Sequence, residues 1–252
     1  MNKVVIKLGG AALQNIETLE KLSLMVKDLI LQGMSPVIIH GGGPAINHEL
    51  TLRGISWKFI NGQRQTTPEM MKVIEEVLAI DVNNLIVGEL IKFGVHAIGL
   101  SGARDQILFC SQIDSELGQV GKVEEINLTA IHAHPELIPV IAPIGFGAQG
   151  EKYNINADWA AAKLAVAMGA QKLIFLTDQN GILNGEGELI EVATSNLIQQ
   201  MIDSGVIHGG MFTKVMTMIS ALDQGIGEVH VMNALLAHQY RQQSLGTRLV
   251  ES

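Results

Sequence analysis

The first groups in this sequence that could do chemistry are Lys7-Leu8-Gly9-Gly10 and His40-Gly41-Gly42-Gly43. Glycines let backbone N–H groups close on an anion. Pro44 suits the first turn of a helix, whose positive end would face the same ligand. Either loop alone reads equally well as a tight turn. Two of them on successive strands, one carrying a cation, point to a phosphate or carboxylate ligand. Arg64 follows in Asn61-Gly62-Gln63-Arg64-Gln65-Thr66, where a guanidinium fork suits bidentate capture of a carboxylate. Read alone, it is a solvated surface arginine. Asn154-Ile155-Asn156-Ala157-Asp158 opens an Ala-rich helix, so Asn156 or Asp158 equally suits a capping role. Thr177-Asp178-Gln179-Asn180-Gly181-Ile182-Leu183 ends an apolar strand in a polar turn. Lys214 follows Gly209-Gly210 on a helix, where a lysine is ordinarily solvated.

Three literal motif matches carry no chemistry here. Gly145–Gly150 fits the G-x-G-x-x-G pattern of a dinucleotide site, but the chain continues Glu151-Lys152-Tyr153-Asn154, a hairpin arm rather than the required helix. Gly121-Lys122 lacks the remainder of a phosphate-binding P-loop. His132 and His134 have no further ligand at metal spacing and read as loop histidines.

The elements that must position these groups alternate. Residues 4–8 read as a buried strand, 15–31 as an amphipathic helix, 37–39 as a second strand and 44–52 as a second helix, the pattern of a parallel sheet with crossover helices. Residues 55–64 read as a hairpin about Asn61-Gly62, 67–93 as one long helix, and 95–100 as a strand. Short strands over 107–126 are expected to break at Gly118 and Gly121. Residues 137–144 form a strand and 156–168 a helix. Then come a strand at 172–177, helices at 194–202 and 211–224, a strand at 228–232, a short helix at 234–241 and a strand at 247–250. Gly169-Ala170 divides two lobes, 1–169 and 170–252.

The 252 residues carry a formal charge of −8, with 17 basic and 25 acidic side chains, and 47% are hydrophobic. That excludes a disordered chain, and a general nucleic-acid binder is expected to be basic. One cysteine, Cys110, excludes a disulfide scaffold. No apolar run reaches the ~18 residues of a membrane span, and the first residues lack the long apolar segment and small-residue cleavage site of a secretory signal. A cytoplasmic protein without membrane partners is expected.

Six motifs in order, Lys-x-Gly-Gly at 7–10, His-Gly-Gly-Gly at 40–43, Asn-Gly-x-Arg-x-Thr at 61–66, Asn-x-Asn-Ala-Asp at 154–158, Asp-x-x-Gly-Ile-Leu at 178–183 and Gly-Gly-Met-x-x-Lys at 209–214, resemble the amino acid kinase family over residues 4–250. Each is weak alone; their order and spacing are specific. Asn-Gly-x-Arg-x-Thr separates this branch from carbamate, uridylate and aspartate kinases. The resemblance implies an α/β fold, an open three-layer αβα sandwich with a mainly parallel central sheet and two lobes. The N-terminal lobe would bind an acyl amino acid and dimerise; the C-terminal lobe would bind ATP. The implied reaction is ATP-dependent phosphorylation of the side-chain carboxylate of N-acetyl-L-glutamate in arginine biosynthesis, with Mg²⁺ arriving on the nucleotide.

By motif position, Lys7 and Lys214 would be the transition-state lysines and Asp158 the carboxylate that orients them. Arg64 and Asn154 would grip the substrate's α-carboxylate, and Gly42 and Gly43 would contact the substrate. Gly9 and Gly10 would line the phosphate path. Asp178, Gln179, Asn180, Gly181, Ile182 and Leu183, with Val206, Ile207, His208, Gly209 and Gly210, would form the nucleotide site. Trp57, Phe59 and residues 100–104 are candidate walls of the acyl pocket. Related substrates, acetylaminoadipate or a carrier-protein-linked aminoadipate, fit the same motifs, as does a non-catalytic sensor. Arginine-inhibited members carry an extra helix before the first strand. With Met1 and Asn2 alone ahead of it here, the expectation is an arginine-insensitive homodimer.

Overall fold

The computed structural model describes residues 2–241 and 245–250; Met1, Glu251 and Ser252, the ends of the expected lobes, lie outside them. In chain order the N-terminal half contains β1 (Asn2–Leu8), α1 (Glu17–Leu31), β2 (Met34–His40), α2 (Gly43–Leu52), β3 (Phe59–Ile60) and β4 (Gln63–Arg64). It continues with α3 (Pro68–Glu76), a π-helical turn (Val77–Val82), α4 (Asn83–Lys92), β5 (Ala97–Ser101), β6 (Leu108–Gln112), β7 (Val120–Ile126) and α5 (Thr129–His132). Then follow β8 (Ile138–Ala142), β9 (Ile144–Phe146), β10 (Lys152–Ile155), α6 (Ala157–Met168), β11 (Lys172–Thr177) and β12 (Val192–Thr194). The chain closes with α7 (Ser195–Asp203), α8 (Gly209–Asp223), β13 (Glu228–Asn233), a 3₁₀ segment (Ala234–Gln239) and β14 (Thr247–Val250).

Eight strands form one sheet in the order β12-β14-β13-β11-β1-β2-β8-β5, parallel throughout except for β13 against β14. β1 lies in the middle, hydrogen-bonded to β2 on one side and β11 on the other. The sheet therefore runs unbroken across the 169/170 division. Strand alternation assigns the two faces. Val5 packs with Val37, Ile39, Leu173 and Phe175 beneath α6, α7 and α8. Val4, Ile6 and Leu8 pack with Ile38, Ile174 and Leu176 beneath α1 to α4. That is the expected three-layer sandwich. Lys7 shares the Val5 parity, and so lies on the α6/α8 face.

Several elements depart from expectation. The apolar run at 137–144 is two strands. Pro143 has no N–H for a ladder, so β8 stays in the main sheet while β9 leaves it for a small closed barrel, β10-β7-β6-β9. Gly121 does not break a strand; it lies inside β7, opposite Gln112 and Ile155. The helix at 67–93 is interrupted by its π turn. β12 and α5 were not expected, being too short to carry a periodic signal. Gly147–Gly150 turn between the antiparallel β9 and β10, as the hairpin reading requires. The β3–β4 hairpin turns at Asn61-Gly62, both in left-handed conformation (φ 50° and 78°). Among the described residues no helix is long and apolar enough to cross a membrane.

Candidate active site

Three elements bring three charges together at the carboxyl end of β1, the position where open parallel sheets bind ligands. Lys7, the penultimate residue of β1, reaches Asp158 Oδ1 at 2.8 Å. Lys214, in the second turn of α8, reaches Asp158 Oδ2 at 3.1 Å from the opposite side. Asp158 does not cap its helix; Asn156 does, its side chain accepting from the backbone N–H groups of Asp158 and Trp159. The carboxylate is thereby left free to bridge two ammonium groups.

All three side chains are nearly buried, with Lys7 7% and Lys214 9% exposed, so the solvated-helix reading of Lys214 does not hold. Burial alone would raise the Asp158 carboxyl. The adjacent Lys7 and Lys214 outweigh it and hold the group near 2. Lys214 sits below the usual ammonium range, because burial and repulsion from Lys7 outweigh the attraction of Asp158. Two cations on one anion give the cluster a net positive charge, which suits an anionic ligand.

The two glycine loops meet beside these charges. The Gly9 amide donates to Leu176 O at the end of β11, and the Gly41 amide donates to Leu8 O. A Cβ on Gly10 would lie 2.7 Å from the Gly42 nitrogen and 2.8 Å from the Gly43 nitrogen, so no side chain fits between the loops. Gly10→Ala should force them apart and lower kcat/KM at least ~10-fold, since misplacement near 1 Å can cost ~10²-fold. Unchanged steady-state constants would show that the close approach is dispensable.

Beyond the loops opens a cavity of about 310 Å³, lined by Lys7, Gly10, the Gly41–Gly43 loop, Phe59, Arg64, Asn154 and Asp158. Arg64 is 6% exposed, not a solvated arginine. Its Nη2 donates to Asn47 Oδ1, and the guanidinium lies 5.1 Å from the Trp57 ring centre and 4.8 Å from that of Phe59. Its Nη1 is buried and has no hydrogen-bond partner among the described residues. Burial lowers this guanidinium to about 10. A buried guanidinium on a cavity wall, with donors its neighbours do not use, suits capture of a carboxylate. Asn154 stands beside it, its Nδ2 donating to Thr66 Oγ1, which donates to Arg64 O.

The proposed nucleotide residues lie outside this cavity's lining. Asp178 follows β11 directly, takes a hydrogen bond from Thr177 Oγ1 and acts electrostatically on Lys214. Asn180 accepts from Asn233, and Gly181 packs against Thr247. Ile182 and Ile207 are core residues, whereas Gln179, Leu183, His208, Gly209 and Gly210 are exposed. Two residues past the first stretch, a Cβ on Gly185 would lie 3.6 Å from Val206 Cγ2 in the second. Gly209 and Gly210 open α8, so its positive end points out beside Lys214. Arg104 is exposed and outside the cavity, which sets the 100–104 segment apart from the wall formed by Phe59. Asn47, Ile46, Leu78 and Pro143 were missed in the sequence; only Asn47, one turn after Pro44, carried a polar signal. His132 and His134 are exposed.

Residues 2–233 match the family described as "Amino acid kinase family". A Ruegeria pomeroyi protein named acetylglutamate kinase is 41% identical, the match covering 97% of this chain and 88% of that protein. A Geobacillus acetylglutamate kinase is 39% identical over 98% of this chain and 96% of its own. The solved structure of smu.665 from Streptococcus mutans superposes with a TM-score of 0.86 at 31% identity, covering 98% of each chain.

Proposed function

The chain belongs to the amino acid kinase family, and on that premise we propose that it phosphorylates the side-chain carboxylate of N-acetyl-L-glutamate with ATP, giving the acyl phosphate and ADP for arginine biosynthesis. The observation that carries this reading is one cavity lined by Arg64 and by Lys7 and Asp158, with Lys214 paired to Asp158 just behind its lining. Arg64 and Asn154 hold the α-carboxylate, and Gly42 and Gly43 receive the reacting end of the substrate. The side-chain carboxylate oxygen forms a bond to the γ-phosphorus as the bond from that phosphorus to the β-bridging oxygen breaks. The nucleophile is already ionised at neutral pH, so no proton need be removed.

The catalytic task is alignment of two anions and stabilisation of charge on the phosphoryl group. Lys7 acts from the acyl side and Lys214 from the nucleotide side, and Asp158 fixes both ammonium groups. The Gly9 and Gly10 backbone borders the phosphate path. The C-terminal lobe, 170–252, takes the nucleotide through residues 178–183 and 206–210. Its exposed Gly209-Gly210 helix start and nearby lysine suit a triphosphate. Mg²⁺ would travel on those phosphates and supply further charge neutralisation. The N-terminal lobe, 1–169, takes the acyl amino acid and forms the homodimer of a cytoplasmic enzyme. Light scattering is expected to give twice the 27.1 kDa chain mass, and a hexamer would overturn that assembly.

The test is ADP release with N-acetyl-L-glutamate, N-acetylaminoadipate, glutamate, aspartate and carbamate offered separately, with N-acetyl-L-glutamate expected to give the highest kcat/KM. Preference for another carboxylate would overturn the substrate assignment, and no turnover with any would overturn the kinase reading. Arg64→Ala should raise KM for N-acetyl-L-glutamate by about 10²-fold, the loss of a charged hydrogen-bonded contact worth roughly 2–3 kcal/mol, while leaving KM for ATP unchanged. The reverse pattern would remove Arg64 from the acyl site.

A further inference from the structure

Behind the Gly41–Gly43 loop, away from the cavity, lies a buried polar chain that the reaction as described does not use. His40, the last residue of β2, is fully buried, with its Nδ1 2.9 Å from Gly41 O. Its Nε2 lies 3.2 Å from Asn83 Nδ2. Asn83 is itself 2% exposed, and the same Nδ2 lies 2.9 Å from Val140 O and 3.4 Å from Leu100 O. An amide nitrogen can only donate, so His40 Nε2 must accept and Nδ1 must carry the proton that it gives to Gly41 O. Burial lowers the imidazole to about 4, against the opposing effect of the Gly41 bond, so the ring stays neutral at physiological pH.

The π turn explains how this chain reaches the loop. In an α-helix, residues five apart point about 140° away from each other. The i→i+5 spacing of a π turn brings them to the same side, and such turns recur at functional sites. Leu78, inside the turn, and Asn83, directly after it, both face the β2 loop. Leu78 lines the cavity and occupies the space beside Gly42, where a Cβ would come within 2.3 Å of its Cδ2. Room for Asn83 is made at β5, since a Cβ on Gly99 would lie 2.1 Å from Asn83 Oδ1. An interrupted helix, a strand glycine and a buried histidine thus converge on one loop.

We propose that Asn83 is a positioning residue for phosphoryl transfer, acting through His40 to hold the Gly41–Gly43 backbone at the acyl end of the cavity. The inference rests on the assignment of that loop to the acyl substrate. Asn83→Leu removes the donor to His40 while keeping the branched heavy-atom skeleton of the side chain. Gly99→Ala displaces the same side chain from β5, and Gly99 does not line the cavity. Both variants should raise KM for N-acetyl-L-glutamate and lower kcat/KM about 10- to 10²-fold, with KM for ATP unchanged.

Nitrogen-15 spectra of histidine-labelled protein, with His40 assigned from a His40→Asn variant, supply a readout that general destabilisation would not move. Wild type should show the Nδ1–H tautomer for His40, and Asn83→Leu a mixture with Nε2–H. An Nε2–H wild-type ring, unchanged acyl KM in a folded variant, or equal losses toward both substrates would overturn the proposal. Should one variant fail to fold, the other variant and the wild-type spectrum still decide it. A wild-type protein inactive on N-acetyl-L-glutamate would instead refute the substrate assignment, while the tautomer would still report on the His40–Asn83 link.

Discussion

Lys7→Ala is expected to lower kcat by at least ~10²-fold, with little change in KM for N-acetyl-L-glutamate; removing one preorganised donor to a developing negative charge costs about that much. Lys7 shares the face of Val5, opposite that of Ile6 and Leu8, so its parity turns it beneath α6 rather than toward α1. There the ammonium is fixed at 2.8 Å from Asp158 and 7% exposed, and a Cβ on Gly9 would lie 3.7 Å from its Nζ. A charge already held in place needs little reorganisation as the phosphoryl group moves. Lys7→Arg keeps the charge but not the point geometry and should recover only part of the rate. A near-wild-type kcat for Lys7→Ala would remove it from the transition state.

Asp158→Ala should abolish measurable turnover and also destabilise the fold. It leaves Lys7 and Lys214 facing each other without an anion, and breaking a buried ion pair from one side typically costs about 3–5 kcal/mol. For a chain of this length that corresponds to a fall in Tm on the order of 10 °C. The pH dependence follows from the depressed carboxyl group. Its folded-state value of about 2 lies below the ordinary 3.8, so its stabilising contribution is complete above the ordinary value and disappears as pH falls through about 2. Differential scanning calorimetry should therefore show a wild-type-to-Asp158→Ala gap that is wide at neutral pH and narrows in strong acid. A gap independent of pH would mean that the carboxylate is not what the mutation removes.

The main sheet was legible because β1, β2 and β11 are apolar runs closed by glycine or polar turns, and the helices between them carry their own period. The cluster at the end of β1 was legible only as scattered residues. Nothing local in Lys214 or Arg64 distinguishes a buried cation from a solvated one; burial comes from α8 packing on α6 and from Trp57 and Phe59 covering the guanidinium. The π turn left no local signal, because an extra residue in a helix is selected by what Leu78 and Asn83 must touch on β2, β5 and β8. Pro143 did carry a signal, the missing N–H that sends β9 out of the sheet, but the apolar run around it concealed the break. Gly121 misled for the opposite reason: its lack of a side chain serves close packing against Tyr153 inside the barrel, not a turn.

The product itself distinguishes transfer to the side-chain carboxylate from every other use of ATP. Incubation with ATP, Mg²⁺, N-acetyl-L-glutamate and hydroxylamine should yield the γ-hydroxamate in step with ADP, because the trap captures an acyl phosphate formed on the side-chain carboxylate. Lys7→Ala should form it at least ~10²-fold more slowly. ADP released without hydroxamate, or hydroxamate formed equally well by Lys7→Ala, would contradict transfer to that carboxylate at this lysine cluster.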